Sequence, residues 1–97
     1  MEHANFSKYG KSFQEKLVQL ILQERVFADQ IWEVLDINFL ELRYLQTFVR
    51  KIFDYKEKYG VHPSPSIVAT ILRTEMEDED EVVQKQIRDF FARISTG

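Results

Sequence analysis

The stretch LRYLQTFVRKIFDYKEKY, residues 42–59, decides the fold and is followed by Gly60. On a helical wheel that turns about 100° per residue, its apolar side chains occupy one half of the helix. These side chains are Leu42, Leu45, Phe48, Val49, Ile52, Phe53, Tyr55 and Tyr59. Such an arc is wider than contact with a single neighbour requires, so we expect other helices on two flanks of this one. Gly60 predicts the end of the helix, because glycine adopts positive φ without steric cost.

The composition indicates one domain with an apolar core. Its 97 residues are 44% hydrophobic, with eight Phe against three Gly and two Pro, which argues against a disordered chain. The absence of cysteine excludes disulfides and thiolate metal sites. A net charge of −3 gives no basic footprint for nucleic-acid binding. Neither a membrane-spanning run nor a signal-peptide core is visible, so a soluble cytoplasmic domain is expected.

The polar residues 1–11 predict a flexible N-terminal arm, and residues 12–97 predict a single helical domain. Ser12 and Glu15 have the S-x-x-E spacing of a capping box. In this motif the serine hydroxyl accepts a hydrogen bond from the backbone N–H of the glutamate, and the glutamate side chain accepts one from the backbone N–H of the serine. This spacing predicts a first helix over residues 13–24.

Two positions on the first helix and one on the second are candidates for a partner surface. Val18 and Leu22 widen the apolar face of the first helix, and burial between two neighbours is the favoured interpretation. The alternative is that they are exposed and contact another chain. A second helix is predicted over residues 29–35, with Val34 facing the core. Trp32 lies off the apolar stripe of this second helix. The favoured interpretation is a residue that covers the edge of the core, and the alternative is a platform for binding a partner.

Turn signals define the remaining helices. Asp36 or Asn38 is placed to cap the central helix, and Ser64 before a proline predicts a helix over residues 65–74. A fifth helix is predicted over residues 80–94. Its inward stripe is Val83, Ile87, Phe90 and Ile94. The combined pattern predicts an all-α fold of about five helices around one long central helix.

The polar residues do not form a recognisable catalytic or metal-binding motif. Residues 75–81 contain six acids, but they lack the spacing and turn glycine of a calcium loop, and acids also favour the N-terminal end of the helix that follows. His62 is expected to be a solvated turn residue. The basic side chains of the central helix are expected to form a solvated surface rather than a phosphate site. They are Arg43, Arg50, Lys51 and Lys58. The sequence therefore predicts no catalytic, cofactor-binding or metal-binding residue.

Four segments together resemble a known family. They are FQEKLVQLIL in the first helix, IWEVL in the second, TFVRKIFDYKEKYG in the central helix, and VHPSPSIVATIL after it. The pattern resembles the N-terminal domain of DnaB-type replicative hexameric DNA helicases, and is most similar to the form found in T-even-like phages. The shared features include the Ile52-Phe53 pair and a proline-led helix after a glycine turn. The resemblance covers residues 12–94 and implies a compact orthogonal bundle.

The resemblance implies a scaffold role in DNA replication. In this family the N-terminal domains form a collar that supports ring assembly and receives primase and sometimes a helicase loader. The implied partners are therefore the other subunits of a homo-hexamer, primase and a loader, without direct sequence-specific DNA binding. ATP and Mg are implied only for a motor domain that this sequence does not contain, and further residues are expected beyond Gly97. The alternatives are the helicase-binding domain of a primase, which is similar in fold, and a free-standing helical adaptor.

Overall fold

Helix α3, Arg43–Tyr59, is the longest helix of the computed structural model, which describes residues 10–96. Gly60 ends it with a φ of 74°, and the Gly60 N–H donates to the carbonyl of Lys56 at 2.8 Å. The prediction for residues 42–59 is confirmed to within one residue. Seven of its side chains are buried: Tyr44, Leu45, Thr47, Phe48, Val49, Ile52 and Phe53. This wide buried arc follows from packing on more than one flank.

Four further α-helices and one short 3₁₀ helix complete the described chain. They are α1, Gly10–Gln23; α2, Arg25–Ile31; the 3₁₀ helix, Ile37–Phe39; α4, Pro65–Thr74; and α5, Glu81–Thr96. Residues 10–96 contain no β-strand, so the all-α prediction is confirmed. The radius of gyration is 12.9 Å, close to the roughly 13 Å of a compact chain of this length.

The start of α1 differs from the prediction. The helix begins at Gly10 rather than Phe13, so Ser12 lies inside it and the predicted capping box is wrong. The physical reason is that the Glu15 carboxylate, which a capping box needs, binds Arg93 instead. The last two residues of the predicted arm, 10 and 11, are therefore helical, while residues 1–9 lie outside the described part.

Helix α2 lies four residues earlier than predicted. Only Glu24, in an extended conformation, separates it from α1, so the turn between the two helices is shorter than predicted. Ala28 is buried, whereas Val34 is 74% exposed because the helix has already ended at Ile31. The prediction that Val34 faces the core is wrong.

An aromatic cluster joins α3 to α5. The rings of Phe48 and Phe90 are perpendicular with centroids 5.4 Å apart, and Tyr44 meets Phe90 edge-on at 6.2 Å. Edge-to-face contacts of this kind stabilise a core beyond the area they bury. The predicted inward stripe of α5 is confirmed, since all four members are buried: Val83, Ile87, Phe90 and Ile94.

The segment that leads into α3 is held by a side chain of another helix. The buried Gln14 of α1 accepts hydrogen bonds at its Oε1 from the backbone N–H of Glu41 at 2.9 Å and of Leu42 at 3.4 Å. The prediction that Asp36 or Asn38 caps α3 is wrong, because the Asp36 carboxylate instead accepts from the backbone N–H of Asn38 and begins the 3₁₀ helix.

Helix α4 begins as predicted. The Ser64 hydroxyl accepts from the backbone N–H of Ile67 at 3.3 Å, and Pro65 occupies the first helical position, where no N–H is needed. At the other end, Lys51 Nζ donates to the carbonyl of Glu75 at 2.8 Å. The hydrogen bond from Lys51 links the C-terminal end of α4 to α3.

Candidate protein-binding surface

An apolar groove of about 220 Å³ lies between α4 and α5. We call it the α4–α5 groove; its lining residues are Ala69, Leu72, Arg73, Arg88 and Phe91. Leu72 is buried and Phe91 is half-buried. Phe91 is held in place by Phe48, whose ring centroid is 6.2 Å away. The groove therefore offers a fixed apolar floor that a side chain from another molecule can cover.

Two arginines flank this floor. The Arg88 guanidinium donates to the carbonyl of Leu72 at 3.4 Å, and Arg73 lies 3.5 Å from the hydroxyl of Thr70. No ion pair within residues 10–96 includes either arginine. Because a guanidinium carries five N–H donors, each retains donors for an incoming carboxylate. The groove thus combines an apolar surface with positive charge that no described carboxylate neutralises.

Of the three residues predicted as a possible partner surface, two are buried and one is half-buried. Val18 and Leu22 are buried in the core, so the favoured prediction of burial is confirmed and the exposed alternative is wrong. Both side chains are enclosed because α1 packs against α2 and α3 at once. Trp32 is half-buried and meets Phe53 edge-on at 5.8 Å, which makes it a residue at the edge of the core.

A charged cluster ties α1, α3 and α5 together at another place. Arg93 makes two hydrogen bonds to the Glu15 carboxylate, at 2.8 and 3.0 Å, and the Tyr44 hydroxyl donates to the same carboxylate. The hydrogen bond from Arg93 holds the pKa of Glu15 below its ordinary value. Burial and the Glu15 charge raise the pKa of Tyr44. All three groups satisfy one another, so this cluster is a structural contact between helices.

His62 is half-buried rather than solvated, which corrects the prediction for it. Its Nε2 lies 2.9 Å from the carbonyl of Leu22, and because a carbonyl only accepts, Nε2 carries the proton. Its Nδ1 is buried without a hydrogen-bond partner among the described residues. A cavity of about 160 Å³ is lined by His62, Lys56 and Asp29. The Lys56 ammonium forms an ion pair with the Asp29 carboxylate. The hydrogen bond to Leu22 links the turn after α3 to the end of α1.

The basic residues of α3 are dispersed and partly neutralised. Arg43 pairs with Glu79 at 3.6 Å, and Lys58 lies over the ring of Tyr59, 5.3 Å from its centroid. A cavity of about 110 Å³ beside Lys51 and Lys58 also contains the carboxylates of Asp54 and Glu75. This mixture of charges does not build the continuous positive surface that a phosphate backbone requires.

The acidic segment is exposed except at two residues. Within residues 75–81, Met76 is buried in the core and Glu79 is half-buried beside Arg43, while the other carboxylates face solvent. Across residues 10–96, no three His, Asp or Glu side chains are grouped so that they can hold a metal ion. None of the described helices has both the length and the apolar character needed to cross a membrane.

Comparison with protein-family models, with curated proteins and with solved structures finds no match for this chain. Its class is therefore defined by the fold alone: an all-α domain with a long helix at its centre.

The sequence did not identify the α4–α5 groove, although each part of it was visible. Arg73 lies in the last turn of α4, and Phe91 stands beside the inward stripe of α5. Either feature alone is ordinary on an amphipathic helix. Their combination depends on how α4 and α5 pack, which helical periodicity does not predict.

Proposed function

We propose that this chain is a non-catalytic protein-binding domain, and specifically the N-terminal collar domain of a DnaB-type replicative helicase. In this proposal the helices form the orthogonal bundle of that family. The domain assembles with other subunits into a hexameric ring and receives primase or a loader during DNA replication. It acts in the cytoplasm of a bacterium or of a phage-infected cell, and ATP and Mg belong to a motor domain outside this sequence.

The observation that carries the binding role is the α4–α5 groove. An apolar floor with flanking arginines that lack carboxylate partners in the described chain is suited to a protein surface, where apolar anchors are surrounded by polar groups. The Glu15–Arg93 cluster, by contrast, is engaged in a contact between helices. We therefore propose a binding role for this domain.

The helicase assignment is supported by the positions that carry the family resemblance. Ile52 and Phe53 are buried at the centre of α3, and Gly60 has the left-handed conformation that ends the helix. Pro65 then begins α4. These features form the framework of the domain, so the resemblance rests on residues that determine how the chain folds rather than on scattered surface identities.

A titration with the primase encoded by the same genome tests this function. We expect a complex whose sedimentation gives the summed mass of the two proteins, and a change in the fluorescence of Trp32, the sole tryptophan. A primase from an unrelated replication system serves as the control. No association by either method at about 100 μM contradicts the primase-binding role. Binding to a replicative helicase ring instead of primase favours the primase-side alternative.

A further inference from the structure

A second feature of the surface is complementary to the α4–α5 groove. At the start of α5, Val82 is 66% exposed and follows the exposed carboxylates of Asp80 and Glu81. We call these three residues the acidic patch. No ion pair within residues 10–96 includes either carboxylate. The acidic patch thus presents an apolar side chain beside negative charge that no described basic group neutralises, whereas the groove carries positive charge.

The two features cannot meet within one chain. Val82 and Phe91 are nine residues apart on α5, which at about 100° per residue places them on opposite faces of the helix. They are also separated by roughly 13 Å along its axis. Val82 therefore cannot cover the groove of its own chain, and it can do so only in a second copy.

We propose that the acidic patch of one copy of this chain docks in the α4–α5 groove of a second copy. Val82 covers the apolar floor, and Asp80 and Glu81 pair with Arg73 and Arg88. Charge complementarity selects this occupant, because the chain as a whole carries a net charge of −3 and the groove is a local exception to it. The inference deepens the proposed protein-binding function and rests on it by naming one partner of the groove.

The contact is heterologous, since each copy uses its groove on one side and its acidic patch on the other. Such a contact repeats from copy to copy, and it closes into a ring or continues as a filament according to the rotation between copies. An isologous contact instead stops at a dimer. The mass of the assembly therefore distinguishes the two arrangements.

Sedimentation of the unmodified chain is the first test. We expect the average mass to rise with concentration beyond that of a dimer over about 0.1–1 mM, the range for a small interface. The association should weaken several-fold as salt increases, because exposed charge pairs are screened. A chain that remains monomeric throughout this range overturns the inference, and so does one that stops at a dimer.

Two variants, each disabling one side of the contact, provide the sharper test. Arg88→Glu reverses charge at the groove, and Val82→Asp removes the apolar side chain from the acidic patch. Each variant alone should remain monomeric, because its copies lack one half of every contact. An equimolar mixture should form a heterodimer and nothing larger, since one intact acidic patch meets one intact groove. A mixture that stays monomeric overturns the inference.

Matched controls separate this effect from a general change in charge. Arg50→Glu makes the same charge reversal on the exposed side of α3, and Val34→Asp changes another exposed valine. Both control variants should associate like the unmodified chain. Thermal unfolding of all four variants checks that each is folded. The salt dependence of self-association is measured on the unmodified chain, so it tests the inference even if a variant fails to fold.

The outcome is independent of the primase experiment. A chain that binds primase but does not self-associate overturns the inference and leaves the primase-binding role standing. A chain that self-associates but does not bind primase supports the inference and contradicts the primase-binding role. If an acidic, valine-containing peptide of unrelated sequence binds the groove of a strictly monomeric chain, the occupant is a foreign protein and the second-copy proposal is wrong.

Discussion

Replacing Ile52 by alanine is expected to destabilise the domain by about 3 kcal/mol. Ile52 is 1% exposed at the centre of α3, so the substitution removes three buried carbon groups. At about 0.8 kcal/mol per group, the lost transfer free energy is about 2.4 kcal/mol. The cavity left behind adds to this cost, whereas the higher helix propensity of alanine returns about 0.4 kcal/mol. The resulting loss is a large part of a domain stability of about 5–15 kcal/mol.

Urea unfolding followed by far-UV circular dichroism measures this loss. With a slope of about 1–3 kcal/mol per molar urea, the midpoint should fall by roughly 1–3 M. Ile52→Val removes one carbon group at the same site and should cost only about 0.5–1.5 kcal/mol. Val34→Ala provides the surface control, because Val34 is 74% exposed, and its effect should stay within about 0.5 kcal/mol.

An unchanged midpoint for Ile52→Ala would refute the packing of α3. So would a Val34→Ala variant that loses as much stability as Ile52→Ala, because the structure places only the first side chain in the core. The graded series distinguishes a misplaced helix from a core that relaxes around the cavity. In the relaxed case Ile52→Ala still costs more than Ile52→Val.

Substitutions at three further positions test individual contacts. Glu15→Gln should cost about 0.5–1 kcal/mol at neutral pH, a modest value because Arg93 is half exposed. Since the pKa of Glu15 is lowered in the folded chain, this stabilisation is complete above the ordinary value of 4.5 and is lost as the pH falls through the lower folded pKa. The free energies of unfolding of the unmodified chain and of Glu15→Gln should therefore converge in acid. A difference between them that stays constant down to the lowest pH contradicts the ion pair. Gly60→Ala should cost about 1 kcal/mol, because φ is 74° there, and Gly60→Asn should cost less; equal midpoints for the two in thermal unfolding count against the left-handed turn. Ser64→Ala should lose about 0.5–2 kcal/mol through the missing cap of α4, and Ser64→Asp should restore most of it in the same assay.

Local chemistry predicted the elements that carry their own boundary signals. Helix α3 was located within a residue because its apolar arc is long and Gly60 ends it. Helix α4 was located because Ser64 and Pro65 form a start signal that needs no tertiary contact. Where such signals were weak or misleading, at α1 and α2, the predicted starts were displaced by three and four residues.

The contacts that place the helices relative to one another could not be predicted. Glu15 and Arg93 are 78 residues apart in sequence, and Gln14 accepts a hydrogen bond from a backbone N–H 27 residues away. A capping box was predicted for Glu15 because its spacing from Ser12 is visible locally, whereas Arg93 is not. The α4–α5 groove was missed for the same reason, since no single helix contains it.

We propose that this domain works by binding another protein of the replication machinery. Amide chemical-shift mapping during a titration with the cognate primase tests it most directly, because it detects weak binding and locates the surface. We expect the signals of one contiguous surface to shift until they saturate, while those of buried residues such as Ile52 stay in place. Signals that remain unchanged at a saturating excess of primase would contradict the claim.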